Sequence, residues 1–166
     1  IKGATYDNNL LCIGEKEVFV LDKVADQFMS ALEKAGAFRL RDQQLNQLTQ
    51  AAFTFKEGEG AGCPDPVVNK DLIGRDASVL AEAAGINLSA KTELLFAETN
   101  ADHVFVREEQ MMPFLPIVRV PSVEAGIEAC KIAEHQYKHT SIIQSHNVND
   151  MTAMARALDT TLFVKN

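Results

Sequence analysis

The sequence predicts an α/β layer fold on three observations. Short apolar runs of strand length alternate with longer stretches of helical period, and residues 17–36 form a complete strand-then-helix unit. No heptad, repeat or low-complexity tract offers another architecture.

Taken in order, Glu17 to Leu21 reads as the first strand. Asp22 can cap the helix that follows, where Val24, Phe28, Ala31, Leu32 and Ala35 recur at helical spacing, and Gly36 supplies its stop. Residues 41–53 carry Leu45, Leu48 and Ala52 on one helical stripe. From Lys56 to Pro66 periodicity breaks, and Gly58, Gly60, Gly62, Pro64 and Pro66 predict an irregular loop. A short helix over 75–84, with Val79, Leu80 and Ala83 inward, ends at Gly85. Thr92 to Thr99, containing Leu94-Leu95-Phe96-Ala97, reads as a buried strand. The apolar runs His103 to Val106 and Ile117 to Val120 flank a proline-punctuated segment that reads as a loop between strands. Ser122 caps a helix whose Val123, Ile127, Cys130 and Ala133 share a face. His139 to Ser145 is a strand, Val148, Met151, Ala155 and Leu158 mark the last helix, and Thr161 to Val164 is the last strand.

A chain of 166 residues, 46% hydrophobic, fits one domain able to bury about two thirds of the surface its unfolded chain exposes. A net charge of −7 with scattered Lys and Arg argues against a nucleic-acid partner. No apolar run reaches the roughly 18 to 20 residues needed to span a bilayer, and residues 1–20 lack a signal pattern, so no membrane partner and a cytoplasmic location are expected. Three widely spaced cysteines without a Cys-x-x-Cys pair suit a reducing compartment. The chain starts at Ile1 without methionine and stops on a strand-like segment, which is expected of an excised piece of a longer protein.

Cys12 is the first candidate for chemistry. It follows the polar turn Asp7-Asn8-Asn9, whose backbone N–H groups could face an oxyanion beside the sulfur; the alternative is a half-buried thiol ahead of a strand. Cys63 lies in the glycine-proline loop, and Cys130 falls on an apolar helix face as a core residue. The rigid segment Glu108 to Pro116 could hold a carboxylate against a ligand hydroxyl, or be a turn with solvated acids. His139 at a strand edge suits a general base or anion contact, or a surface histidine. His103, His135 and His146 have no partner at metal-ligand spacing, so no metal is expected. Gly74-Arg75-Asp76 opens a helix, where amides favour anions, but no Gly-x-Gly-x-x-Gly or Gly-Lys-Ser/Thr loop is present to hold a dinucleotide.

Together these segments resemble the coenzyme-A-acylating branch of the aldehyde dehydrogenase superfamily, the type found in ethanolamine and propanediol utilisation microcompartments. The resemblance covers the whole chain. Asp7 to Lys16 is similar to that branch's catalytic cysteine segment. Ile73 to Ala77, Ala84 to Ile86 and Lys91 to Glu98 resemble its core, Glu108 to Pro116 aligns with a Glu-x-Phe-Gly-Pro segment, and His139-Thr140 matches a His-Thr pair.

The resemblance implies a three-layer αβα catalytic domain spanning residues 1–166, with the dinucleotide-binding and oligomerisation segments outside this chain. It implies oxidation of acetaldehyde or propionaldehyde with NAD and coenzyme A, through a thiohemiacetal and a thioacyl enzyme, with the fragment alone inactive. Cys12 would be the nucleophile, Glu109 the contact to the nicotinamide ribose, and His139 a base or orienting group. Met111-Met112 stands where hydrolytic relatives carry Phe-Gly, so an aromatic wall against the nicotinamide is missing. The expected full-length protein is a homo-oligomer inside a microcompartment, with shell or cargo proteins as partners. Alternatives are the aldehyde dehydrogenase half of a bifunctional aldehyde-alcohol dehydrogenase, and a noncatalytic assembly module.

Overall fold

A computed structural model describes residues 1–56 and 65–166. The predicted loop positions Gly58, Gly60, Gly62, Cys63 and Pro64 lie outside the described residues. The chain runs α1 (Lys2–Thr5), β1 (Val18–Leu21), α2 (Asp22–Lys34), β2 (Phe38–Arg39), α3 (Asp42–Ala52), β3 (Phe53–Lys56), β4 (Asp65–Val68), α4 (Ala77–Ala83), β5 (Leu95–Thr99), α5 (Val104–Arg107), β6 (Phe114–Val120), α6 (Val123–Ala133), β7 (Thr140–Ile143), α7 (Val148–Leu158) and β8 (Leu162–Lys165).

The central sheet has the order β1-β6-β5-β2 and all its pairings are parallel. Parallel strands are buried on both faces, which is why β6 reads as a nearly unbroken apolar run. Side-chain alternation splits the core in two. Leu95, Ala97 and Phe114 join the cluster with Leu45, Leu48 and Ala52 of α3 and Leu80 of α4, whereas Leu94, Phe96, Leu115 and Ile117 join Ala25, Met29 and Leu32 of α2. Helices therefore cover both faces, and the αβα layering is as expected.

Several elements differ from expectation for physical reasons. On α2 the buried stripe is Ala25, Met29 and Leu32, while Val24 is 40% exposed. The stripe is turned because Val24, Phe28 and Ala31 line an open cleft described below. The helix stops as predicted: the Gly36 N–H donates to Glu33 O at 3.0 Å and the Ala37 N–H to Leu32 O at 3.0 Å, with Gly36 at φ +98°. Both ends of the segment predicted as an irregular loop, Lys56 and Pro66, belong to strands, since β3 and β4 pair antiparallel. His103 to Val106 is not a strand. It is the start of α5, whose cap is His103 Nδ1 accepting from Phe105 N at 3.3 Å.

Glu108 to Pro116 accordingly joins a helix to a strand, and its last three residues belong to β6. Pro116 is tolerated there because the β1 register starts one residue later, at Ile117, so the missing N–H falls where β6 has a partner on one side only. On α6, Ser122 caps as predicted by accepting from Ala125 N at 3.2 Å, but Cys130 is only partly buried and Gly126 is the fully packed position. On α7 the core side chains are Met154 and Leu158, with Val148 69% exposed. β7 and β8 pair parallel in a ladder of their own.

The turned stripe on α2 is directly testable. Met29→Ala should cost about 2 to 5 kcal/mol and Val24→Ala no more than about 0.5 kcal/mol. Chemical denaturation of both variants checks this, and equal costs would contradict the assignment.

Candidate active site

Cys12 is exposed, at the tip of a turn between α1 and β1. Three consecutive residues ahead of it, Asp7, Asn8 and Asn9, sit in the left-handed region at φ 49°, 52° and 64°. Asn and Asp tolerate this conformation better than other non-glycine residues, because a short polar side chain can bond locally. The amide-rich turn owes its composition to that requirement.

The asparagine side chains fasten the turn to distant chain. Asn8 Nδ2 donates to Gly74 O at 3.0 Å and to Asp76 Oδ1 at 2.8 Å. Asn9 is fully buried, and its Nδ2 donates to Glu15 O at 3.1 Å and Met112 O at 3.2 Å. Gly14 makes room for this, since a Cβ there would lie 2.7 Å from Asn9 Oδ1 and 3.1 Å from Gly3 O. The Gly14 N–H donates to Leu11 O at 3.1 Å, closing the turn around Cys12 and Ile13. Among the described residues the amides of Cys12 and Ile13 donate to no other backbone group, which leaves them available to an oxyanion.

Lys16 closes the arrangement. Its ammonium donates to Asn9 O at 2.6 Å and Asn9 Oδ1 at 3.0 Å, and stands 3.6 Å from Glu109 Oε1. Burial is the main influence on this amine and lowers its pKa; the Glu109 charge opposes it. Glu109 itself is 54% exposed. Gln110, fully buried beside it, donates to Lys16 O at 3.4 Å and leaves its Oε1 without a partner.

Cys12, Lys16, Glu17, Cys130 and Thr140 line one cleft of about 780 Å³ between β1, α2, α6 and β7. Burial pushes the Glu17 carboxyl up to about 7, opposed by the Lys16 charge and reinforced by that of Glu109. The Cys130 thiol is pushed up to about 12, again chiefly by burial and then by Glu17, so it stays protonated and unreactive. His139 is exposed and does not line the cleft; its Nδ1 lies 2.6 Å from Thr140 Oγ1, and its N–H donates to Glu134 Oε1 at 3.1 Å.

The structure thus links Glu109 to Asn9 of the cysteine turn through Lys16, and places Thr140, the neighbour of the exposed His139, in the cleft that Cys12 lines. Lys16, Glu17 and Asn9 were missed by sequence reasoning, and only the run of polar residues around Cys12 hinted at them. Arg75 and Asp76 precede a helix of seven residues whose first turn holds no acidic residue, and Asp76 serves as a partner for Asn8. Among the described residues no group of three or more His, Cys, Asp or Glu could hold a metal. No helix of the described residues is long and apolar enough to cross a membrane.

No protein-family model matches the chain. It is 42% identical over all 166 residues to the acetaldehyde dehydrogenase (acetylating) EutE of Salmonella typhimurium, of which it covers 35%. Three solved structures superpose with a TM-score of 0.89 over 99% of the chain. One is an engineered glycolyl-CoA reductase with bound NADP+, 35% identical, of which the chain covers 35%. Another is a propionaldehyde dehydrogenase of Rhodopseudomonas palustris with bound CoA and an acylated cysteine, 35% identical with 36% covered. The third is a propionaldehyde dehydrogenase of a Clostridium phytofermentans fucose-utilisation bacterial microcompartment, 34% identical with 36% covered. The chain therefore spans about a third of the length of the relatives it matches.

The pKa of Glu17 sets a pH signature. The folded carboxyl titrates at about 7 against 4.5 for the ordinary group, so the folded state holds the extra proton between those values. Stability falls as pH rises through that window and stays lowered above it. Glu17→Gln should therefore stabilise the chain more at pH 8 than at pH 5, by about 2 kcal/mol. Thermal unfolding at the two pH values checks this; a gain independent of pH would contradict it.

Proposed function

Since the chain belongs by sequence and fold to the coenzyme-A-acylating aldehyde dehydrogenases, we propose that it is the cysteine-bearing catalytic domain of such an enzyme, oxidising acetaldehyde or propionaldehyde to the acyl-CoA. The observation that carries this reading is Cys12, exposed at the tip of a turn whose left-handed backbone is fixed by buried asparagine contacts. A structural thiol needs no such presentation.

Cys12 attacks the aldehyde carbonyl as a thiolate. A carbon–sulfur bond forms, and the former carbonyl oxygen takes the negative charge beside the unpaired amides of Cys12 and Ile13. A bound nicotinamide supplies the acceptor for the hydride that leaves this carbon. Loss of that hydride leaves a thioester on Cys12. The thioester is then opened by the thiolate of coenzyme A, and the Cys12 thiolate departs. Glu109, half exposed and with Lys16 alone as its ionic partner among the described residues, keeps carboxylate oxygen free to accept from a ribose hydroxyl. His139, next to Thr140 of the same cleft, is assigned the part of a base or orienting group in the thiol steps.

On this reading the dinucleotide-binding and oligomerisation segments lie in the rest of the protein, which works as a homo-oligomer within a microcompartment, among its shell or cargo proteins. Relatedness to the Clostridium phytofermentans enzyme supports the location. Residues 1–166 would form half of an active site and be inactive alone.

In the full-length protein, Cys12→Ala should lower NADH formation from propionaldehyde and coenzyme A on the order of 10³-fold. The same assay on the 166-residue chain should give no NADH. Turnover unaffected by the substitution would sink the assignment of Cys12.

A further inference from the structure

We infer that Lys16 is a positioning residue that sets the Glu109 carboxylate relative to the cysteine turn, so that one ammonium fixes the spacing between the nucleophile and the acid facing the cofactor. The inference rests on the roles proposed for Cys12 and Glu109. It deepens them by naming what holds the two together.

Three acceptors converge on Lys16 Nζ: Asn9 O at 2.6 Å, Asn9 Oδ1 at 3.0 Å and Glu109 Oε1 at 3.6 Å. The two Asn9 oxygens take hydrogen bonds from the ammonium, and the Glu109 carboxylate faces it as an ion pair; a compact point charge serves this arrangement better than the planar fork of an arginine. The side chain is only 14% exposed, and burying a charge is costly unless partners compensate it. Two of those partners belong to Asn9, the residue whose left-handed backbone carries the chain toward Cys12.

The two ends of this bridge depend on it unequally. Asn9 has its own anchors, because its Nδ2 donates to Glu15 O and Met112 O. Among the described residues Glu109 has no hydrogen bond and no ion pair apart from Lys16. Its neighbour Gln110 donates to Lys16 O at 3.4 Å, which ties the backbone of the lysine to the same loop. Without the ammonium the turn keeps two of its buried contacts, and Glu109 loses its one fixed reference to the cysteine. The expected consequence of removing Lys16 therefore falls first on the cofactor contact.

A double-mutant cycle in the full-length enzyme separates this from simple turn support. The variants are Lys16→Met, Glu109→Gln and the pair, with KM for NAD, kcat and thermal stability measured for each. Lys16→Met and Glu109→Gln should each raise KM for NAD about tenfold, and the pair should raise it no further than either alone. Lys16→Arg should not restore the native KM. If Lys16→Met multiplies its effect on that of Glu109→Gln, or lowers thermal stability and kcat without moving KM, Lys16 supports the turn alone and the inference fails. If Glu109→Gln leaves KM for NAD unchanged, the ribose role proposed for Glu109 fails instead.

Discussion

The structure depends on a backbone constraint: three consecutive residues before Cys12 occupy the left-handed region, and no glycine is among them. Each such residue is strained relative to the right-handed or extended regions, and the strain persists only where surrounding contacts over-determine it. Those contacts come from far along the chain. Asn8 reaches Gly74 and Asp76, and Asn9 reaches Met112 in the loop before β6. The turn is therefore held by the segments that the parallel sheet brings beside it. Deleting the buried amide of Asn9 would leave the Met112 carbonyl without that donor and release the turn together.

The sheet makes those contacts possible. β6 lies between β1 and β5, so the loop entering β6 arrives next to the chain entering β1. Pairing of Val18 with Ile117 fixes how far Glu109 to Met112 stands from Cys12 to Lys16. Charge then refines what topology sets. Lys16 is the cation placed among Asn9 and Glu109, and Glu17 lines the same cleft as Lys16, its ionisation discouraged by burial.

Much of this was legible in the sequence where local chemistry decides the outcome. Leu45, Leu48 and Ala52 mark α3, Gly36 ends α2, Ser122 caps α6, and Leu94 to Ala97 is buried strand. What stayed illegible is what a one-dimensional pattern omits. A helical stripe shows an apolar face but not which part of it meets the sheet and which lines an open cleft, so Val24 was misplaced on α2 and Val148 on α7. Cys130 was read as core because its neighbours are apolar, yet it lines that cleft. The sequence holds no sign of the part Lys16 plays, because its partners include a residue 93 positions away, and Asn9 reads as part of a polar turn although it is among the most buried residues. For the family resemblance the reverse held: motifs spread across the chain carried the relationship before any contact was visible, since relatives share the fold at a TM-score of 0.89.

The central claim is that the buried Asn9 amide holds Cys12 in its working position. Amide hydrogen exchange of Asn9→Ala in the full-length enzyme, read beside its rate of NADH formation, tests this most directly. The account predicts faster exchange confined to residues 7–16 and the loop before β6, protection unchanged in β5 and β6, and a rate of NADH formation reduced about a hundredfold. Unaltered exchange in residues 7–16 with undiminished turnover would contradict it.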